Sequence, residues 1–165
     1  MKRRGENTHP AQRRVNLRFS LAKLEDLLEI NFQSGAQLVT LTYREGSRKP
    51  SRDLAELQLR DWLHAVRCKS GQQLHYIRST ERESARKHPI HRVVLAPPVP
   101  TTAVLAALWT YGAVTVQPVE KGNQKAIAAL LMGPALQAGR VLIPGSRVWS
   151  PSRGLIRSRK DAENE

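Results

Sequence analysis

The sequence is poor in most of the features that would name a function. It has one cysteine, Cys68, so it can form no internal disulfide and no cysteine-rich zinc cluster. No apolar run approaches the roughly 18–20 residues of a membrane span. Apolar runs such as Val93–Leu95 and Ala126–Met132 are the size of core segments. The basic start Met1-Lys-Arg-Arg-Gly is not followed by an apolar stretch, so a secretory signal is not expected and the cytoplasm is the expected setting. Aromatics are few, with three Trp, three Tyr and two Phe in 165 residues. That leaves little material for the exposed ring platform of an RNA-reading sheet, where Tyr43 and Tyr76 would be the available pair. Acid is scarce too: 14 Asp and Glu stand against 27 Lys and Arg.

What is present is charge and a core. Apolar residues make up 40% of the chain, enough for one domain and too many for a disordered basic tail. The formal net charge of +13 points to a polyanionic partner, most commonly nucleic acid. A membrane surface is disfavoured, because such a helix sets its cations beside a large apolar face. Here the cations cluster elsewhere. Lys2, Arg3, Arg4, Arg13, Arg14 and Arg18 crowd the start, and Arg44, Arg48, Lys49 and Arg52 fill one loop. Arg140, Arg147, Arg153, Arg157, Arg159 and Lys160 follow one another without an intervening acid. The plainer alternative is a generally basic, well-solvated surface.

Hydrophobic period and breakers organise the chain. Residues 1–16 read as a flexible basic arm, 17–157 as one domain and 158–165 as a polar tail. Ser20 offers a cap to a helix carrying Leu21, Leu24, Leu27 and Leu28. Strands are predicted at Gln37–Tyr43, Leu74–Thr80, Ile90–Leu95 and Ala113–Val119, with one or two short strands between Arg140 and Trp149. Helices are predicted at Ser51–Arg67, with Leu54, Leu57, Trp62, Leu63 and Val66 as its apolar stripe, from Thr101 or Thr102 to Trp109, and over Gln124–Met132 behind an Asn123 cap. The order is α-β-α-β-β-α-β-α-β. It predicts an α+β domain with a central antiparallel sheet of about five strands and helices packed on it.

Several segments, taken in order, resemble the HUH endonuclease superfamily, the rolling-circle replication initiators of plasmids and filamentous phages. They are VTLTY at Val39–Tyr43, the helix Leu54–Arg67, YIRSTE at Tyr76–Glu81, HPIHRVVL at His88–Leu95, LWTYGAVTV at Leu108–Val116 and WSPSRGL at Trp149–Leu155. The resemblance implies an HUH/RRM-like sheet that handles DNA. In such enzymes two histidines on one strand face and a carboxylate hold a divalent metal on the scissile phosphate, and a helix tyrosine attacks phosphorus. Glu81 matches the carboxylate and His91 one histidine. Pro89 stands where the second should be, and His88 would reach the site only through a bulge. The helix expected to carry the nucleophile holds Ala128, Ala129, Leu130 and Leu131, and no tyrosine follows Tyr111.

The chain therefore reads as a nucleic-acid-binding relative without nicking activity, from a phage, plasmid or other mobile element. Single-stranded or hairpin DNA is the expected partner, and no cofactor is expected. Phosphate contacts are assigned to Arg44, Arg48, Lys49, Arg52 and Arg92, and to Arg140, Arg147, Arg153 and Arg157. Trp149, between Arg147 and Arg153, suits base stacking as well as simple packing. Thr40, Tyr43 and Tyr76 are the sheet-face residues. The alternatives are a nickase using Glu81, His88 and His91 with Mg²⁺ or Mn²⁺ and a displaced Tyr111, then an RNA-binding module, then an inhibitor of a host nucleic-acid enzyme.

Overall fold

A computed structural model describes residues 10–82, 88–133 and 148–157. The elements are α1 (Pro10–Asn31), β1 (Gln37–Leu41), α2 (Arg52–Ser70), β2 (Tyr76–Glu81), β3 (Ile90–Leu95), α3 (Thr102–Leu108), β4 (Val114–Pro118), α4 (Gln124–Met132) and β5 (Trp149–Pro151). All five strands form one antiparallel sheet in the order β4-β1-β3-β2-β5. The described residues form an α+β domain, with four helices around that sheet. No helix of the described residues is long and apolar enough to cross a membrane.

Alternation along the strands sends neighbouring residues to opposite faces, and both faces are covered. Leu38, Ile77 and Val94 lie under α1 and α4, meeting Leu24, Leu27, Leu28, Ile127 and Leu131. Val39, Leu41, Val93 and Leu95 lie under α2 and α3, meeting Leu59, Trp62, Leu63, Val66 and Leu105. Leu24, Leu27 and Leu28 at i, i+3, i+4, and Leu59, Leu63 and Val66 at i, i+4, i+7, have the helical spacing that lays one stripe on a sheet.

Local signals set most of the boundaries. The Ser51 side chain accepts from Leu54 N at 3.1 Å to open α2, and Gly71 closes it in the left-handed conformation, at φ 69°. Thr101 opens α3 in the same way, accepting from Val104 N at 3.3 Å. Three expectations need correction. Helix α1 starts at Pro10, inside the stretch expected to be an arm, with proline in the first turn, where its missing N–H does no harm. Asn123 makes no side-chain cap bond; the Gln124 side chain accepts from Gly122 N instead. The buried stripe of α2 runs through Ala55, Leu59, Trp62, Leu63 and Val66, leaving Leu54 and Leu57 exposed.

Candidate nucleic-acid interface

The ladder between β1 and β4 continues past the ends of both strands. Thr42 N donates to Ala113 O and Arg44 N to Tyr111 O, each at 3.0 Å. Gly112 makes this continuation possible: a Cβ there would sit 1.9 Å from the Thr42 carbonyl oxygen. The paired chain ends carry Tyr43 and Arg44 on one side and Thr110 and Tyr111 on the other. Arg44 closes the pairing by donating from Nη2 to Thr110 O at 3.1 Å. Below them Trp109, buried, donates from Nε1 to Thr42 O at 2.8 Å. Its ring lies edge-on to Tyr43 at 5.3 Å and to Tyr111 at 5.0 Å. The two phenol rings are thus fixed from the backbone and from beneath.

Over this floor opens a cleft of about 850 Å³. Its cations come from two separate segments: Arg44, Arg48, Lys49 and Arg52 from the stretch that runs from the loop after β1 into the first turn of α2, and Arg82 from just past β2. Among the described residues, no Asp or Glu lines it. The guanidinium of Arg82 also donates to the Arg52 carbonyl at 3.4 Å. Desolvation, and then the positive charge of Arg52, make the protonated form of Arg82 less favourable than usual, while Glu56, Tyr43 and Asp53 offset part of this. Burial pushes the Tyr43 phenol up to about 12; Arg82 opposes that shift and Tyr111 adds to it. The cleft therefore gathers positive charge that an incoming anion would relieve.

His91 sits beneath the same floor, wholly buried, and its imidazole is fully engaged. The Tyr43 hydroxyl donates to Gln58 Oε1 at 2.8 Å, which leaves its oxygen to accept from His91 Nε2–H at 3.0 Å. On the other side, Nδ1 accepts from the Thr80 hydroxyl at 2.8 Å. Burial above all, then Arg82 and Arg78, lowers the His91 pKa to about 3, so the ring is neutral. His88 donates from Nε2 to Ser47 O at 2.8 Å and stacks on Tyr43, with centroids 6.0 Å apart.

Glu81 lies elsewhere. Register pairs Thr80 with His91 and Glu81 with Ile90, so Glu81 and His91 point to opposite faces of the sheet. The Glu81 carboxylate forms an ion pair with Arg92 on its own face. Among the described residues, no three His, Cys, Asp or Glu side chains gather as a metal site.

The remaining residues singled out in the sequence are scattered. Arg92 is largely buried and held by Glu81. Thr40, paired with Arg92 on β3, is half-buried on that same face. Tyr43 and Tyr76 pack against the α2/α3 layer, but Tyr76 is level with Leu95 and Tyr43 lies beyond Leu41, at the other end of the sheet. They do not form a pair of adjacent rings. Trp149 packs against the α1/α4 layer and donates from Nε1 to Ser20 Oγ at 2.9 Å, which ties β5 to α1. Arg153 and Arg157 are exposed near β5, away from the residues lining the cleft, and Arg140 and Arg147 lie outside the described residues.

Arg82, Gln58 and Thr80 were not singled out from the sequence. Arg82 stands in the run Glu81-Arg82-Glu83, which has the pattern of a solvated turn. Its one distinguishing signal is its place directly after a strand, where a side chain can lean over the sheet end. Compared with known proteins, the chain has no significant match: no family model, no curated protein and no solved structure aligns with it.

Proposed function

We propose that this protein binds single-stranded or hairpin DNA at the cleft over Tyr43 and Tyr111, and does so without cutting it. The observation that carries this reading is the convergence of five cations from two separate chain segments beside two fixed phenol rings. Cations supply sequence-independent attraction to phosphates, and rings supply stacking to bases. The binding surface is then the end of the sheet rather than its face, since helices cover both faces. The strand order β4-β1-β3-β2, with a helix after β1 and another after β3, supports kinship with the HUH and RRM-type sheets. A mobile-element origin rests on the sequence resemblance alone.

Three placements support a binding role over a nicking one. Glu81 and His91 face apart, His91 is sealed under Tyr43 and Trp109, and α4 presents Ala and Leu where the resemblance calls for a nucleophile. Nicking needs an oxygen aligned on the phosphate, and a misplacement of about 1 Å already lowers the rate roughly 100-fold. With Mg²⁺ or Mn²⁺ and hairpin DNA, no covalent protein–DNA band is expected on a denaturing gel. A band lost in Tyr111→Phe would restore the enzyme reading.

Binding itself is tested by its salt dependence. If the five cleft cations each neutralise one phosphate of a single strand, log K falls against log salt with a slope of about −3.5. Titration of a labelled oligonucleotide across salt concentrations measures it. A flat response, or tighter binding to RNA of the same sequence, would count against this function.

A further inference from the structure

The cleft has features that distinguish an unpaired nucleotide from a duplex. A duplex keeps its bases stacked inside and offers its surroundings mainly phosphates, for which flexible surface cations suffice. Here the floor is aromatic and rigid. Tyr111 is 38% exposed, yet its backbone carbonyl is held by Arg44 N and its ring rests against Trp109. The cleft, at about 850 Å³, falls within the 300–1,000 Å³ typical of sites that enclose a small ligand. Arg52 and Arg82 are close enough for one to hydrogen-bond the backbone of the other, and both line the same wall. A phosphate between them would accept from both guanidinium groups, with the geometry that suits arginine.

We propose that this cleft seats one unpaired nucleotide, its base stacked on the Tyr111 ring and its phosphate held between Arg52 and Arg82. This deepens the nucleic-acid reading and rests on it: the loop cations Arg44, Arg48 and Lys49 guide any strand in, and the Tyr111 subsite selects one whose bases are free. A hairpin would be gripped at its unpaired loop or overhang, and a blunt duplex would be held by the cations alone. Pairing removes the base face from Tyr111, so the preference for single strand comes from the stack and not from charge.

The test uses the full chain and three oligonucleotide ligands of equal charge: a single strand, a hairpin with an unpaired overhang and a blunt two-stranded duplex. The first two carry 2-aminopurine at an unpaired position. Wild-type protein should change the 2-aminopurine emission and bind the first two more tightly than the blunt form. Tyr111→Ala should lose the emission change and weaken single-strand binding about 5- to 150-fold, the span of base–aromatic stacking. It should leave blunt-duplex affinity unaltered, and Tyr111→Phe should keep both properties. Far-UV circular dichroism checks that the variants fold, and Arg52→Ala gives an independent probe by weakening all three ligands while preserving the emission change. Equal affinity of wild type and Tyr111→Ala for the single strand would overturn the subsite and leave the binding function standing. No binding of any of the three would remove both.

Discussion

The two helical layers bury the sheet by different chemistry. The α1/α4 layer is apolar and mostly aliphatic: Leu24, Leu27, Leu28, Ile127, Ala128 and Leu131 close on Leu38, Ile77 and Val94, with Phe32 as its buried ring. The hydroxyl of Ser20 and the indole N–H of Trp149 meet at its margin, half-buried. The α2/α3 layer instead surrounds a buried imidazole with Trp109, Tyr43, Thr80 and Gln58. Apolar burial favours both layers by roughly 25 cal/mol per Å². The second adds a chain of side-chain hydrogen bonds through a buried imidazole, and it is the second whose rim opens into the cationic cleft. One layer closes the sheet, and the other closes it while holding the floor of a site.

The sharpest break in that comparison comes at the strand end joining floor to sheet. In Gly112→Ala the new Cβ would meet the Thr42 carbonyl oxygen at 1.9 Å, a backbone contact that no rotamer can relieve. A loss of about 4 kcal/mol or more is expected, or failure to fold. Gly46→Ala in the nearby loop meets nothing within 4 Å and is disfavoured only by its φ of +81°. It should lose about 1 kcal/mol. Urea midpoints of the two variants measure this, and equal midpoints would contradict the placement of Gly112.

Acid should divide the layers next. Above pH 6.5, the ordinary histidine value, His91 is neutral in both folded and unfolded chains. As pH falls from there toward about 3, only the unfolded chain takes up the proton, so the fold loses stability across that window. At pH 4.5 the loss is about 2–3 kcal/mol at roughly 1.4 kcal/mol per pH unit. Denaturation at pH 7.5 and 4.5 should show a smaller pH effect in His91→Gln than in the wild type. An equal effect in both would place the acid sensitivity elsewhere.

These differences were only partly legible in the sequence. The order of elements and the antiparallel sheet came from period and breakers, because capping serines and threonines, glycines and prolines act locally. The start of α1 did not, since its first turns carry no apolar period and their helicity depends on the leucine-bearing turns after Ser20. Leu54 and Leu57 sit on α2 at spacings compatible with the stripe, and only packing decided that Ala55 and Leu59 face inward. The candidate site was harder still. Glu81 and His91 looked like partners because each matches a metal-ligand position in the resemblance, but their relation depends on the register between β2 and β3. A one-residue difference in register reverses the face. Clustering of Arg44, Arg48, Lys49 and Arg52 was visible as a run. The arrival of Arg82 and Tyr111 beside them depends on tertiary closure.

The smallest expected effects compare one hydroxyl from each layer. Tyr43→Phe removes the oxygen that joins His91 Nε2–H to Gln58, leaving a fully buried donor without its acceptor. Such a change lowers stability by about 1–3 kcal/mol, because the stranded group keeps its desolvation penalty. Ser20→Ala removes the acceptor of Trp149 Nε1–H, and Ser20 also donates to Met132 Sδ at 3.9 Å, a weak bond. This site is half-buried, so water can replace the lost partner, and about 0.5–1 kcal/mol is expected. The layers should differ in position as well as size. Tyr43→Phe should loosen hydrogen-exchange protection around β3 and the Tyr111 turn, and Ser20→Ala around β5 and α1. If the two variants lost equal stability and protection spread alike from both, the polar chain under the cleft would be no more than ordinary core, and the rigidity ascribed to its floor would have to come from Gly112 and the strand ladder alone.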